Sequence, residues 1–229
     1  MDRRKIKISL AINVMIVVFT ITACIIMFTG FKFMEGDIIL ETTKIGMFKF
    51  FTVDSNIFMG IVAFIFSIIE IQILKGKKIE ISLKTYIFKL MATVSVGVTF
   101  FTVFVYLGNI VEGGILRLLK NSNLFLHLLI PVLSMINFCF FEKTDKIKFK
   151  YTIFGTIPVI LYSVFYITNI LIHLENGKVS TIYDWYWFAQ GGMWQLLVVP
   201  PFMILCTYLI SAGLWRINKK SIKEKVDTL

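Results

Sequence analysis

Charged side chains make up only 17% of this 229-residue chain, and proline, cysteine and histidine are scarcer still, at four, three and two copies. Each shortage removes a class of protein. Cys24, Cys139 and Cys206 are odd in number, lie in apolar runs and lack C-x-x-C spacing, which argues against a disulfide framework or a thiolate zinc site. His127 and His173 lie 46 residues apart, so no histidine metal site is expected either. No Gly-x-Ser-x-Gly elbow occurs, which disfavours an ordinary serine hydrolase. There is no internal repeat, no low-complexity tract and no long polar segment of the kind a soluble domain needs. No cofactor is indicated.

What the chain has in excess is apolar surface: 57% hydrophobic residues, 23 Phe and a mean hydropathy of +0.81. That composition belongs to integral membrane proteins. Crossing roughly 30 Å of hydrocarbon takes about 20 residues at 1.5 Å each. Six windows qualify, near 8–29, 47–74, 86–108, 123–141, 151–172 and 193–215. The expected fold is all-α, a single domain over residues 1–229 built as a bundle of six transmembrane helices. The basic leader Met1–Lys7 looks like the start of a secretory signal, but its apolar part is too long and lacks a small-residue cleavage site, so it reads as a retained first span.

Orientation follows from lysine and arginine, which accumulate in cytoplasmic segments. Of the 24 basic residues, 17 fall in the two termini and the loops after the second and fourth spans, five in the other loops, and two, Lys49 and Lys89, within spans. The alternation predicts both termini inside. The net charge of +10 then reflects topology and attraction to anionic inner-leaflet lipid. Dispersed over short segments with no recognisable module, it does not indicate nucleic-acid binding.

Polar residues inside the spans need a reason. At 100° per residue, Thr52, Ser55 and Asn56 share one face of the second span while Asp54 points roughly opposite. In the third, Ser95, Thr99, Thr102, Tyr106 and Asn109 form one stripe; in the fourth, Asn123, His127, Pro131, Ser134 and Asn137; in the fifth, Pro158, Tyr162, Asn169 and His173. Such stripes serve as helix-packing seams as readily as functional surfaces. Thr52 and His127 both lie roughly 6–8 Å below the outer boundary, counting 1.5 Å per residue from the span ends, so they can meet in one layer. Above it, the loop Tyr183–Phe188 is expected to act as an interfacial belt or a lid. Polar groups are expected to thin out toward the cytoplasmic ends.

The Phe51-Thr52-x-x-Ser55-Asn56 and His127-x-x-x-Pro131 patterns, with the six-span layout, resemble the androgen-induced and androgen-dependent TFPI-regulating proteins, and more nearly their six-span bacterial relatives. The animal members are threonine hydrolases cleaving fatty acid esters of hydroxy fatty acids. The resemblance implies Thr52 as nucleophile, His127 as its partner, a fatty acyl ester substrate and a bacterial plasma membrane. The chemistry agrees with that mapping: a threonine hydroxyl is a weak nucleophile and needs a base, for which a neutral imidazole is the natural choice. Ser55 or Asn56 are candidate oxyanion donors. Tyr106, Asn109, Pro131, Tyr162, His173 and Asp184 are expected as substrate-binding or supporting groups. The rival reading is a small-molecule or lipid transporter, or a membrane binding protein, in which the same side chains line a path without hydrolysis.

Overall fold

The computed structural model describes residues 3–35, 43–189 and 192–226, with side chains up to residue 220. Residues 36–42 and 190–191, parts of two expected outer loops, lie outside the described residues. Among the described residues six helices are long and apolar enough to cross a membrane. We number them α1 Arg3–Thr29, α2 Phe51–Leu74, α3 Leu83–Ile110, α4 Ser122–Phe141, α5 Phe149–Ile172 and α6 Gln195–Val226.

The helix ends follow local chemistry. Ser82 caps α3, its hydroxyl accepting the Thr85 N–H at 3.1 Å. α2 stops at Gly76, which takes the left-handed φ of +87°, with the Lys77 N–H donating to the Gln72 carbonyl at 3.1 Å. The second span is shorter than its apolar run predicts. Lys44–Lys49 coil into a separate 3₁₀ turn, and Phe50 is extended at φ −93° and ψ 126°, so α2 begins at Phe51.

α3 is the hub, packing against α2, α4, α5 and α6, while α1 lies along α2. It packs closely on its neighbours, with Leu90, Ala92, Val94 and Val96 buried in one core with Phe66, Ile130 and Phe138. The outer faces are apolar as well. On α6, Val198, Phe202, Leu205 and Leu209 recur at helical spacing and are exposed, as are Val18, Ile21, Ile25 and Phe28 on α1. A water-soluble bundle would hide such rows; one surrounded by hydrocarbon would not.

Close approach is bought with small residues. A Cβ at Gly60 of α2 would lie 2.8 Å from the Thr20 methyl of α1, and one at Gly155 of α5 would lie 2.9 Å from the Ser211 Cβ of α6. Gly60→Val should therefore force α1 from α2 and destabilise the fold by about 1–3 kcal/mol. Thermal unfolding in detergent checks this: an unchanged midpoint would mean that the two helices do not meet here.

Candidate functional site

Three stretches of the α3 and α4 spans leave regular α geometry for a wider π-helical turn: Thr102–Leu107, Phe125–Leu129 and Asn137–Phe141. Such turns re-aim side chains and recur at functional sites. The first two flank a cavity of about 90 Å³ at the end of the bundle where α2 begins. Pro131 contributes to the second. Lacking an N–H, it cannot donate to the carbonyl of His127 four residues earlier, and the ladder loosens there.

The cavity wall takes residues from α2 to α6 and from the loop before α6, and it includes both Thr52 and His127. Thr99 and Thr102 of α3, Asn123 of α4, and Tyr162 and Ser163 of α5 complete its polar lining, with Tyr106 at its edge. The volume holds several waters or a short length of acyl chain.

His127 is held by backbone. Its Nδ1 lies 2.8 Å from the carbonyl oxygen of Leu118, which can only accept, so Nδ1 carries a proton and, in the neutral ring, Nε2 keeps its lone pair. No acid is needed to fix this tautomer. The segment that supplies the carbonyl follows a short helix, Gly114–Arg117, and gives no signal in sequence, because any residue offers a carbonyl.

Asn56 joins the two halves of the site. Its Nδ2 donates to the Thr52 carbonyl at 2.7 Å and to the Leu126 carbonyl at 3.1 Å, so one amide spans the nucleophile candidate and the residue preceding His127. Ser55 donates to the Thr52 carbonyl at 3.1 Å and lies 3.3 Å from the Thr99 hydroxyl. These two expected oxyanion donors are thus committed to backbone and to a neighbouring hydroxyl, and neither lines the cavity.

Tyr186 occupies the place they were expected to fill. Its hydroxyl accepts the Phe51 N–H at 2.9 Å and faces the Thr52 backbone and side chain. Burial pushes the phenol up to about 12, so it remains a proton donor at neutral pH. Sequence reading picked out the aromatic loop but not this residue, because only the fold brings Tyr186 onto the start of α2.

Asp184 builds the roof. It accepts from the Tyr166 hydroxyl, from the Phe188 N–H at 2.9 Å and from the Ala189 N–H at 3.0 Å. The turn so formed carries Trp187, a cavity-lining residue, at φ +56°, a conformation that costs a non-glycine residue free energy. Tyr162 donates to the Lys49 carbonyl at 2.5 Å and accepts the Trp185 indole N–H at 3.0 Å, tying α5 to the same roof.

The remaining expected residues fall elsewhere. Asn109 is exposed and donates to its own helix at Val105, 2.7 Å away. His173 bonds the Asn169 carbonyl at 2.8 Å and stacks on Tyr183 with ring centroids 3.7 Å apart. Neither lines the cavity, nor does Pro131, which is buried within α4. Asp54, on the opposite face of α2, opens with Ser55 into a separate lateral groove of about 460 Å³ that shares only Phe51 and Tyr162 with the cavity.

The expected thinning of polar groups away from this end is corrected by the fold. Asn13, Glu70, Lys89, Asn137 and Glu142 are all buried at the opposite end of the bundle. Asn137 stood out as the last member of the α4 stripe, the others lie singly in or beside their own apolar runs, and only packing unites them. Among the described residues no group of three His, Cys, Asp or Glu side chains has the arrangement of a metal site. Compared with protein-family models, curated proteins and solved structures, the chain matches none.

The tautomer can be tested directly. In ¹⁵N-histidine-labelled protein at neutral pH, His127 should give a protonated Nδ1 and an unprotonated Nε2, and Leu118→Pro, which keeps the carbonyl but alters its approach, should disturb that ratio. Equal populations in the unaltered protein would rule out the carbonyl as the orienting group.

Proposed function

We propose that this chain is an integral membrane hydrolase of fatty acyl esters, with Thr52 as nucleophile and His127 as general base. The observation that carries the reading is a buried histidine whose Nδ1 is spoken for by the Leu118 carbonyl, on the wall of the same cavity as Thr52. The resemblance of the Thr52 and His127 motifs to the threonine hydrolases supports it from the sequence side.

In this mechanism Nε2 of His127 takes the Thr52 hydroxyl proton as Oγ1 attacks the ester carbonyl carbon. The developing oxyanion is met by the Tyr186 hydroxyl beside Thr52, at the start of α2 where the helix dipole also favours negative charge. Collapse expels the alcohol, which leaves with the proton from His127. Water, deprotonated by the same nitrogen, then releases the fatty acid and restores Thr52. The roof of Tyr186, Trp187 and Phe188 keeps bulk water from the acyl-enzyme. The basic-residue pattern supports an N-in, C-in bundle whose cavity faces the outer leaflet, and the resemblance implies a bacterial plasma membrane.

Thr52→Ala and His127→Ala should each lower hydrolysis of a long-chain ester at least about a hundredfold, the scale of general-base catalysis, while Thr22→Ala on α1 leaves it unchanged. The double variant should lose little more than either single one, since the pair acts as a unit. A fluorophosphonate probe should label Thr52. Full turnover by Thr52→Ala, free of contaminating esterases, would sink the assignment. The topology is tested by cysteine-accessibility labelling, where residues near 143–150 should react only from the cytoplasmic side.

A second reading has one observation in its favour. A transporter or binding protein would account more readily for the charged groups buried at the far end of the bundle. Substrate uptake into vesicles without ester cleavage would favour it.

A further inference from the structure

Five side chains, four from helices α1 to α4 and a fifth, Glu142, just past the end of α4, meet at the end of the bundle away from the cavity, and the chemistry at Thr52 uses none of them. Lys89 of α3 is at the centre, fully buried, with Nζ 2.8 Å from Glu142 Oε1 and 2.7 Å from Asn13 Oδ1, and 4.7 Å above the Phe66 ring. Asn13 of α1 passes the link on, its Nδ2 donating to Glu70 Oε2 at 3.0 Å and to Glu142 Oε1 at 2.9 Å. Asn137 of α4 adds a third donor to the same Glu142 oxygen at 3.0 Å and reaches the Ser9 carbonyl at 3.4 Å.

The cluster is short of positive charge and of donors. Two carboxylates face one ammonium. Lys89 is spent on Glu142, Asn13 and the Phe66 ring, and Glu142 Oε1 already collects three donors. On the other side, Glu142 Oε2, Asn137 Oδ1 and the Ser9 hydroxyl are buried with no hydrogen-bond partner among the described residues. The Ser9 hydroxyl faces the Glu70 carboxylate. Asn137 bonds both Glu142 and the Ser9 carbonyl, so these oxygens belong to neighbouring residues at one end of the bundle. The end of α4 adds the negative pole of its dipole there.

We propose that this locus binds one alkali-metal cation of sodium size, held by Glu142 Oε2, Asn137 Oδ1 and Ser9 Oγ and balanced electrostatically by Glu70. A buried set of oxygen-only ligands suits a hard cation. A single added positive charge neutralises the excess, whereas a divalent ion would leave a buried positive charge, which is costly. A proton would satisfy one of the three orphaned oxygens, and a metal ion satisfies all of them. A small set of buried protein oxygens suits the smaller, harder sodium ion better than potassium.

The test is thermal unfolding of the full chain in detergent at constant ionic strength, with sodium chloride exchanged for choline or potassium chloride, paired with equilibrium binding of ²²Na⁺. A ligand that binds only the folded state raises the midpoint with the logarithm of its concentration. We expect that rise with sodium, less with potassium and none with choline, and one ²²Na⁺ per chain. Ser9→Ala, a small change that should fold, is expected to shift the response to several-fold higher sodium, and Glu142→Gln to abolish it. Identical midpoints in sodium and choline would overturn the proposal, as would a sodium response untouched in Ser9→Ala. A midpoint governed by pH alone would overturn it too, assigning the missing charge to a proton.

Discussion

Between helices that are apolar on every side, burying hydrocarbon does little to choose a neighbour, because lipid tails offer the same contact; polar ties and close small-residue packing make the choice. Among the described residues two groups of such ties stand out, one near each end. At one end the Asn56 amide pins α2 to α4 across 2.7 and 3.1 Å. At the other, the Lys89 ammonium and the Asn13 amide draw α1, α2, α3 and the end of α4 onto one point. Removing one partner of such a buried pair leaves a charge without compensation, at a cost of about 3–5 kcal/mol, far more than an exposed pair is worth. The exposed link between Lys146 and Glu80 is by comparison a minor tie between two loops.

The two ends are asymmetric in what they can do. The cavity end combines a base with a fixed tautomer, a hydroxyl on the first turn of a helix, and a phenol that still has its proton to give. The other end combines charges and amides that are buried among the helices. Positioning at the cavity rests mainly on backbone carbonyls, of Leu118, Thr52 and Leu126, rather than on acidic side chains. In a medium of low dielectric a neutral acceptor orients a histidine without adding a second charge that would itself need burial.

Much of the architecture was legible in the chain. Six apolar runs stood out by length, and Thr52 and His127 stood out as polar groups at matching depth. What was not legible has physical causes. Helical-wheel arithmetic put Ser55 and Asn56 beside Thr52, and they are beside it, but a side chain that satisfies a neighbouring carbonyl is no longer aimed at a substrate. Leu118 was invisible because its contribution is a carbonyl. Tyr186 was hidden among aromatics suited to any membrane interface. Glu70, Lys89 and Glu142 each looked like one charge in or beside a hydrophobic stretch, because their meaning lies in long-range packing.

α4 carries two of the wide turns, one holding His127 and one holding Asn137, with the regular stretch Ile130–Ile136 between them. A wide turn delays the rotation of a helix, so everything beyond it faces a direction that a uniform step of 100° does not give. The helix therefore has a phase as well as a sequence. Removing one residue from the first turn would leave the composition of α4 almost untouched and swing the seven residues that follow toward the wrong neighbours, a frameshift written in azimuth instead of in codons.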